Sequence, residues 1–320
     1  MTASAVLEVE DLTVTFRGRG RRSRRQADVT AVDGVSFSVG PGETLGLVGE
    51  SGSGKSTTAR AVCDLVPYQG AVRLQGCDQR ALKRRTDAAR IRQMVFQDPY
   101  SSLDPLMTIG DSIAEPLRVL RTPRAGHDRR IDELLETVRL PASYANRLPR
   151  ELSGGQRQRA AIARALASEP ALVVCDEALS ALDTSTQGEV LSILQDLRDR
   201  RELSYLFIGH DLAVVRHLAD RIAVMYLGRI VESGPTSLIF GDPRHPYTQA
   251  LLAAAPVPDP RAQRSRRRVA LRGDTPPAEA AIGGCPFSPR CPLAVERCRV
   301  EMPAPSSRDG RTVRCHVNPV

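Results

Sequence analysis

The sequence predicts an α/β fold built on a parallel β-sheet that is buried on both faces. Three short apolar runs with polar flanks, at 44–48 (TLGLV), 172–175 (LVVC) and 206–208 (LFI), are typical of strands in such a sheet. The first run leads into a loop of glycine and serine, and residues that favour a helix follow from Lys55 onward. This succession of strand, loop and helix indicates the α/β class.

Two N-terminal segments have the alternation of apolar and polar residues that is typical of half-buried strands. They lie at 6–16 (VLEVEDLTVTF) and 32–39, and they predict an N-terminal antiparallel β subdomain. The arginine-rich stretch GRGRRSRRQ at 18–26 lies between them. We interpret this stretch as an exposed hairpin loop of solvated charge, with contact to a membrane surface as the alternative.

The composition bounds the function before any motif is considered. The 320 residues carry a formal charge of +8, nearly all of the positive charge is arginine, and only Lys55 and Lys83 are lysines. Aromatic residues make up 4% with no tryptophan, which leaves little surface for stacking bases and argues against a nucleic-acid partner. No apolar stretch approaches the roughly 18 residues of a membrane span, and the acidic N-terminal segment is unlike a signal peptide, so we expect a cytoplasmic chain.

The rest of the chain divides by composition into an insertion and an extension. Residues 98–167 are helical in character, rich in arginine and broken by prolines, whereas proline, arginine and alanine dominate after Pro243. We therefore predict an α/β core at 1–97 and 168–242, a helical insertion at 98–167 and a small C-terminal extension at 243–320.

Residues 49–57 (GESGSGKST) match the pattern GxxxxGK[ST] in the context that this pattern requires, after a strand and before a helix. Such a loop lets backbone N–H groups and a helix N-terminus bind phosphate. The alternative is a glycine-rich turn that matches the pattern by chance and has no binding role. Lys55 would bridge the β- and γ-phosphates of a nucleotide, and the Ser56 hydroxyl would bind Mg²⁺. The predicted nucleotide-binding residues here are Gly49, Ser51, Gly52, Ser53, Gly54, Lys55, Ser56 and Thr57.

Two adjacent acids end the apolar run LVVCDE. Asp176 would hold Mg²⁺ through water, and Glu177 would orient and polarise the attacking water, because phosphoryl transfer chiefly needs positioning and charge stabilisation. An Asp-Glu pair after a strand is common in loops, so this pair alone does not decide the matter.

The sequence LSGGQRQR, which contains Ser153, Gly154, Gly155 and Gln156, resembles the signature motif of ABC-type ATPases. The resemblance implies a P-loop NTPase (RecA-like) core with a helical ABC subdomain. It also implies that Ser153 and the two glycines, at a helix start, face the γ-phosphate bound by a partner subunit, and hence a dimer.

Further motifs of this family occur in the expected order. Gln97 in VFQDP resembles the Q-loop, Asp183 in SALD the D-loop and His210 in IGHD the switch histidine, while Phe16 resembles the aromatic residue that stacks on adenine. By this resemblance Gln97 senses Mg²⁺ and water and its loop contacts the permease, Asp183 crosses the dimer interface, and His210 bonds the γ-phosphate. Phe16 is also compatible with a plain core position. Glu177 is followed by Ala178 where the family commonly has proline, a departure that we regard as harmless.

The C-terminal extension narrows the resemblance. The segments HPYTQALL at 245–252 and GCPFSPRCPLAVERC at 284–298 resemble the ATPases of oligopeptide and dipeptide importers, with nickel importers close by. The segment FQDPYSSLDP at 96–105 resembles the second of the two ATPase subunits that such importers usually carry. The implied partners are a related second ATPase, two transmembrane permeases and an extracytoplasmic solute-binding protein, at the cytoplasmic face of the membrane.

Four of the seven cysteines, Cys285, Cys291, Cys298 and Cys315, cluster in this extension. Four soft thiolates suffice for a tetrahedral Zn²⁺ site or an iron–sulfur cluster. Because the spacing has no CxxC, and in line with the resemblance, we favour a [4Fe-4S] cluster, with Zn²⁺ or four free thiols as alternatives.

The motifs together predict an ATP-hydrolysing subunit, with Mg²⁺ as cofactor, that energises import of oligopeptides or dipeptides. An importer of nickel or another small solute is the nearest alternative. A soluble ABC ATPase without transport function would normally show two cassettes or a long coiled-coil insertion, and neither occurs here. A nucleotide sensor without turnover is disfavoured because Lys55, Asp176, Glu177 and His210 are all present.

Overall fold

The structure, a computed structural model, describes residues 4–18, 28–82, 85–98, 102–255 and 283–320. Most of the arginine-rich stretch 18–26 lies outside the described residues, so its hairpin loop stays a prediction. Contacts between Cα atoms divide the chain into two compact units. The first comprises Met1–Glu8, Ser38–Thr44 and Val72–Ile208, and the second comprises Val9–Phe37, Leu45–Ala71 and Gly209–Val320.

Helices and strands alternate between residues 154 and 226, as the α/β prediction requires. The strands are β1 Leu7–Phe16, β2 Val29–Val39, β3 Thr44–Val48, β4 Gln69–Leu74, β5 Cys77–Asp78, β6 Arg92–Val95, β7 Leu172–Asp176, β8 Ser204–Gly209, β9 Arg221–Tyr226, β10 Arg229–Pro235, β11 Ser306–Arg308 and β12 Arg311–Val313. The α-helices are α1 Lys55–Val62, α2 Arg85–Ile91, α3 Ile109–Val119, α4 His127–Thr137, α5 Gly154–Leu166, α6 Thr184–Arg201, α7 Leu212–Leu218, α8 Thr236–Gly241, α9 Pro246–Ala254 and α10 Glu296–Val300.

In the first unit, β6, β7 and β8 form parallel pairs. Val95 pairs with Cys175, and Cys175 pairs with Phe207 on its other side. Every residue of β7 and of β8 is buried, as expected of strands covered on both faces. The two apolar runs identified in the sequence are therefore confirmed as central strands.

The predicted helical insertion contains α3, α4 and α5 in the same unit. The Thr108 side chain accepts a hydrogen bond from the Asp111 N–H and so caps the start of α3. The helix then buries Ile109, Ile113 and Leu117, one helical turn apart, against its neighbours. The helical character predicted for 98–167 is confirmed, while the domain boundaries drawn from composition stay a prediction.

In the second unit, β3 pairs in parallel with β9, and β10 continues antiparallel from β9. Strand β12 pairs antiparallel with β10, and β11 pairs with β12. Strands β11 and β12 of the C-terminal extension therefore belong to the same sheet as β3, the strand that leads into the phosphate loop. Gly46 in β3 permits close packing of α7, because a Cβ there would lie 2.6 Å from a methyl group of Val215.

Strand β1 buries Leu7, Val9, Leu12 and Val14, so the alternation predicted from its sequence is present but interrupted once, at the exposed pair Glu10 and Asp11. It neighbours β2 in an N-terminal sheet, where the Asp11 N–H donates to the Ser36 hydroxyl at 2.9 Å. Over the described ranges, no helix has the length and apolar character needed to cross a membrane.

Candidate functional site

The phosphate loop lies between β3 and α1 in the second unit. Lys55 is the first residue of α1 and is 4% exposed. Its ammonium group donates to the carbonyls of Gly49 at 2.9 Å and Glu50 at 2.8 Å, and to the Ser53 hydroxyl at 3.3 Å. The lysine is thus folded back onto its own loop, and the N–H dipoles of the helix start favour an anion beside it.

Two glycines of this loop are required by the packing of the protein itself, in addition to any contact with a ligand. A Cβ at Gly49 would overlap the Met225 carbonyl oxygen, and one at Gly54, where φ is 102°, would overlap the Ala31 carbonyl oxygen. Gly52 has open space around it and needs glycine for its φ of 77°. Sequence reasoning assigned these glycines to phosphate contact alone, and the packing demand at Gly49 and Gly54 is an addition.

The other predicted binding residues of the phosphate loop differ in their exposure to solvent. Ser53 is buried, Ser56 and Thr57 are half-buried, and Ser51 is exposed. The Ser53 carbonyl accepts a hydrogen bond of 2.9 Å from the Gly228 N–H, which fixes the loop to the turn after β9.

Two further predicted site residues, Phe16 at the end of β1 and His210 just after β8, are exposed to solvent. Phe16 closes β1 with 44% of its surface exposed, which leaves its ring available for stacking. His210 is exposed immediately after β8. The following Asp211 caps α7 by accepting from the Ala213 N–H at 2.9 Å, and this cap fixes the turn that carries His210.

The acidic pair lies in the first unit at the carboxyl end of β7. Asp176 is the last residue of that strand and is 5% exposed. Glu177 has a φ of 48°, in the left-handed region that non-glycine residues seldom adopt. Its N–H donates to the Ile208 carbonyl at 2.9 Å, so the strained residue is held by the neighbouring strand. Such strain is concentrated at functional sites.

Gln97 and Glu177 meet because β6 and β7 are parallel and in register. Each residue lies two positions beyond the paired residues Val95 and Cys175, so both side chains leave the same edge of the sheet. The Gln97 amide donates to the Glu177 carboxylate at 2.8 Å. The structure therefore brings together the predicted Q-loop glutamine and the predicted catalytic acid.

The signature residues form the N-terminus of α5, as predicted. The Ser153 hydroxyl accepts from the Gln156 N–H at 3.3 Å, and the Gln156 side chain accepts from the Ser153 N–H at 3.0 Å. This reciprocal capping box fixes the helix start, with Ser153 exposed and Gly154 half-buried. Gly155 is buried against the Thr186 side chain.

Asp183 is the N-cap of α6. Its carboxylate accepts from the Ser185 hydroxyl and from both the N–H and the hydroxyl of Thr186, at 3.0 Å and 2.7 Å for the latter two. These hydrogen bonds, that of Ser185 first, hold the pKa of Asp183 well below its ordinary value. The predicted D-loop aspartate is therefore charged and also caps the helix that packs on Gly155.

Of the four cysteines in the C-terminal extension, Cys285 and Cys298 are buried, and Cys291 and Cys315 are half-buried. Burial, with a smaller effect from Cys298, Cys315 and Cys291, raises the pKa of Cys285 to about 11, and burial also raises the pKa of Cys291. All four are free, and the Cys285 N–H donates to the Cys298 carbonyl at 2.8 Å. Among the described residues, however, no three Cys, His, Asp or Glu side chains form a group that could hold a metal ion. The donor chemistry fits a thiolate-bound centre, but the expected ligand arrangement is not seen.

Sequence reasoning missed three residues, namely Glu50, which belongs to the phosphate loop, and Tyr247 and Arg290, which contact it. Glu50 lies inside the motif at a position where the motif allows any residue, and its N–H donates to the Tyr247 hydroxyl at 2.8 Å. Its carboxylate is paired with Arg290 at 2.8 Å. The HPY segment around Tyr247 was noticed only as a mark of resemblance.

Two family models match the chain. Residues 32–180 match the model described as ABC transporter, which spans the phosphate loop, the signature and the acidic pair. Residues 231–298 match the model described as the C-terminal region of oligopeptide/dipeptide transporters.

Curated proteins resemble the chain over nearly its whole length. A protein of Sinorhizobium fredii named "Probable peptide ABC transporter ATP-binding protein" is 48% identical over 98% of this chain and 90% of its own length. An oligopeptide transport ATP-binding protein of Bacillus subtilis is 43% identical over 99% of both chains.

Among solved structures, a dimeric ATP-binding cassette in a post-hydrolysis state, bound to ADP and Pi, matches with a TM-score of 0.64 and 26% identity. The match covers 72% of this chain and 98% of that one. The phosphate loop, the capped signature helix and the pairing of Gln97 with Glu177 agree with these similarities, and the chain belongs to the family of ATP-binding proteins of peptide ABC transporters.

Proposed function

We propose that this protein binds and hydrolyses ATP to energise a membrane importer for oligopeptides or dipeptides. The observation that carries the proposal is the hydrogen bond from Gln97 to Glu177 at the carboxyl edge of parallel strands, because it orients a carboxylate that can act on water. The names of the relatives, which transport peptides, oligopeptides or di- and tripeptides, support the choice of solute.

In the binding step, the loop 49–57 would surround the phosphates of ATP, and Phe16 would stack on its adenine. The Lys55 ammonium donates to carbonyl and hydroxyl oxygens of its own loop. When ATP binds, some of these hydrogen bonds would be replaced by hydrogen bonds to the β- and γ-phosphates. The Ser56 hydroxyl, the Gln97 amide and the Asp176 carboxylate are the oxygen donors that would hold Mg²⁺, a cation that prefers such ligands. The cation would neutralise the charge that develops on the phosphates.

In the hydrolytic step, Glu177 would orient and polarise the attacking water, and its hydrogen bond from Gln97 would limit its rotation. His210 would hydrogen-bond the γ-phosphate. Because His210 is exposed after β8, it is accessible to a ligand.

The signature residues Ser153, Gly154, Gly155 and Gln156 would complete a nucleotide site in a partner ATPase, across an interface that Asp183 also crosses. The exposure of Ser153 and of Asp183 supports this proposal. We propose a related second ATPase as that partner, together with two permeases and an extracytoplasmic solute-binding protein, with this chain at the cytoplasmic face of the membrane.

Purification of the tagged chain from its native membranes in mild detergent, followed by mass spectrometry, tests these partners. We expect two permeases, a related ATPase and a solute-binding protein. Recovery only with ribosomes, with DNA or with itself would contradict the transport function and leave ATP hydrolysis standing. The recovered binding protein then separates a peptide importer from the nickel alternative, according to whether it binds di- and oligopeptides or Ni²⁺.

We further propose that Cys285, Cys291, Cys298 and Cys315 bind a [4Fe-4S] cluster, or else Zn²⁺, that stabilises the extension. The presence of four free cysteines in one small extension supports a common site, although the described side chains do not form a ligand group. Iron, acid-labile sulfide and zinc should be measured on chain purified without oxygen. Stoichiometric iron and sulfide favour the cluster, stoichiometric zinc the alternative, and the absence of all three would leave four thiols.

A further inference from the structure

Glu50, inside the phosphate loop, is held by two side chains that come from the C-terminal extension. The Tyr247 hydroxyl accepts the Glu50 N–H at 2.8 Å. The Arg290 guanidinium donates to both oxygens of the Glu50 carboxylate, at 2.8 Å and 3.3 Å. Backbone and side chain of one loop residue are therefore fixed from outside the loop.

These two side chains are themselves firmly placed. The rings of Tyr226 and Tyr247 lie 4.6 Å apart, and Phe287 packs edge-on against Tyr226 at 5.3 Å. All three aromatic residues are at most 1% exposed. The Arg290 side chain is 9% exposed and its guanidinium lies 5.9 Å from the centre of the Tyr226 ring. Buried aromatic packing of this kind leaves the hydroxyl and the guanidinium little freedom to move.

The position of Glu50 directly affects Lys55. The Lys55 ammonium donates to the carbonyl of Glu50 and to that of Gly49, which precedes it. A shift of the Glu50 backbone would therefore shift both acceptors of the lysine. Positional errors of this kind are costly in a site that works by orientation.

The pairing also affects charge. The Glu50 side chain is 31% exposed. Without Arg290, its carboxylate would place an uncompensated negative charge in the loop that must bind phosphates. Arg290 compensates that charge through a two-pronged hydrogen bond, the strongest geometry for this pair. Loss of Arg290 would leave the carboxylate to repel the nucleotide.

We infer that Tyr247 and Arg290 are positioning residues for nucleotide binding, which act through Glu50 by fixing the phosphate loop and neutralising its carboxylate. The inference rests on the proposed function. It assigns the C-terminal extension a direct role in ATP affinity, in addition to any role in stability.

The test uses the full-length chain and four variants, with Kd for MgATP and MgADP measured by calorimetry, KM and kcat for ATP hydrolysis, and unfolding in urea. Tyr247→Phe removes only the hydroxyl, and Arg290→Met removes only the charge and donors. Arg290→Met combined with Glu50→Gln removes both charges. Arg297→Met is the matched control, because Arg297 makes a similar two-pronged bond to Glu301 within the same extension, with distances of 2.7 Å and 2.8 Å.

We expect Tyr247→Phe to raise the Kd for both nucleotides by about 2- to 10-fold, the value of one hydrogen bond. Arg290→Met should raise both Kd values by at least as much, and the added Glu50→Gln should recover most of that loss because no bare carboxylate remains. KM should rise in parallel while kcat at saturation stays nearly constant, and Arg297→Met should match wild type.

Purely structural anchors would lower the urea midpoint and leave the Kd values unchanged, which would overturn the inference. Failure of the double variant to bind better than Arg290→Met would refute the role of charge. If Arg290→Met does not fold, Tyr247→Phe alone decides, through its Kd. Failure of the proposed nucleotide site is distinguishable, since wild type itself would then not bind MgATP.

Discussion

The α-carbon of Gly155 faces the methyl group of Thr186 so closely that no Cβ fits between them. Gly155 belongs to the signature at the start of α5, and Thr186 lies in the first turn of α6, where it also donates to Asp183. Two predicted binding motifs of the first unit are thus packed against each other through a position that only glycine can occupy.

Gly155→Ala should lower the free energy of unfolding by about 1 to 3 kcal/mol, because the added methyl group must displace Thr186. Gly188→Ala is the matched control. Gly188 is an exposed residue of α6 with open space around it, and alanine there should stabilise by about 0.5 to 1 kcal/mol. Urea denaturation of both variants measures the difference. Equal stability of the two variants would show that the helices separate at little cost.

Glu177→Gln should lower kcat for ATP hydrolysis about a hundredfold or more while ATP binding persists, because an amide cannot polarise water as a carboxylate does. Glutamine can still accept the hydrogen bond from Gln97, so the local geometry should hold. The control is Glu189→Gln, which changes an exposed acid of α6 that pairs with Arg159 at 3.7 Å and is expected to leave turnover unchanged. Steady-state ATPase assays compare the two, and undiminished turnover in Glu177→Gln would exclude the assigned mechanism.

The strands of the parallel sheet that could be predicted from the sequence are strands whose burial is continuous. The strands β3, β7 and β8 are buried along their whole length, so an apolar run marks each of them. Strands β11 and β12 have three residues each, which is too short for a periodic signal. The attachment of the C-terminal extension to β10 could therefore not be predicted.

The same limit applies to the functional residues. A motif of fixed spacing identified Lys55, and the resemblance of LSGGQRQR to the signature motif identified the start of α5. The contact between Glu50 and Arg290 joins positions 240 residues apart, and nothing local distinguishes this arginine from the many others in the chain. The cysteine spacing indicated a common site, but among the described residues no group of side chains has the ligand arrangement that a metal needs.

Gln158→Met should raise the free energy of unfolding by about 1 to 2 kcal/mol. Gln158 in α5 is 0% exposed, and within the described part of the chain neither its amide oxygen nor its amide nitrogen has a hydrogen-bond partner. Methionine has a similar shape and removes the desolvation cost of that amide. Gln187→Met should act in the opposite sense, because the Gln187 amide donates to the Leu179 carbonyl at 3.0 Å. Urea midpoints of the pair test this contrast, and a loss of stability in Gln158→Met would reveal a polar partner for the amide.

The stability of the fold should depend on pH through His245, which is 1% exposed and caps α9 by accepting the Tyr247 N–H at its Nδ1 atom, 3.1 Å away. Burial lowers the pKa of His245 from 6.5 to about 3. Between these values the unfolded chain binds the proton and the folded chain does not, so stability is fully present above pH 6.5 and declines as the pH falls. From pH 7 to pH 5 the loss from this group should be about 2 kcal/mol.

His245→Asn keeps an acceptor at the cap and removes the titration, and it is therefore the variant that isolates this effect. Asparagine should reduce stability at pH 7, where the imidazole packs against Phe287 with 5.7 Å between ring centres. The gap between wild type and variant should narrow by about 2 kcal/mol when urea unfolding is repeated at pH 5, because only wild type loses the contribution of the neutral ring. A gap that stays constant between the two pH values would mean that His245 titrates alike in the folded and unfolded chain, and that the buried cap does not exclude the proton.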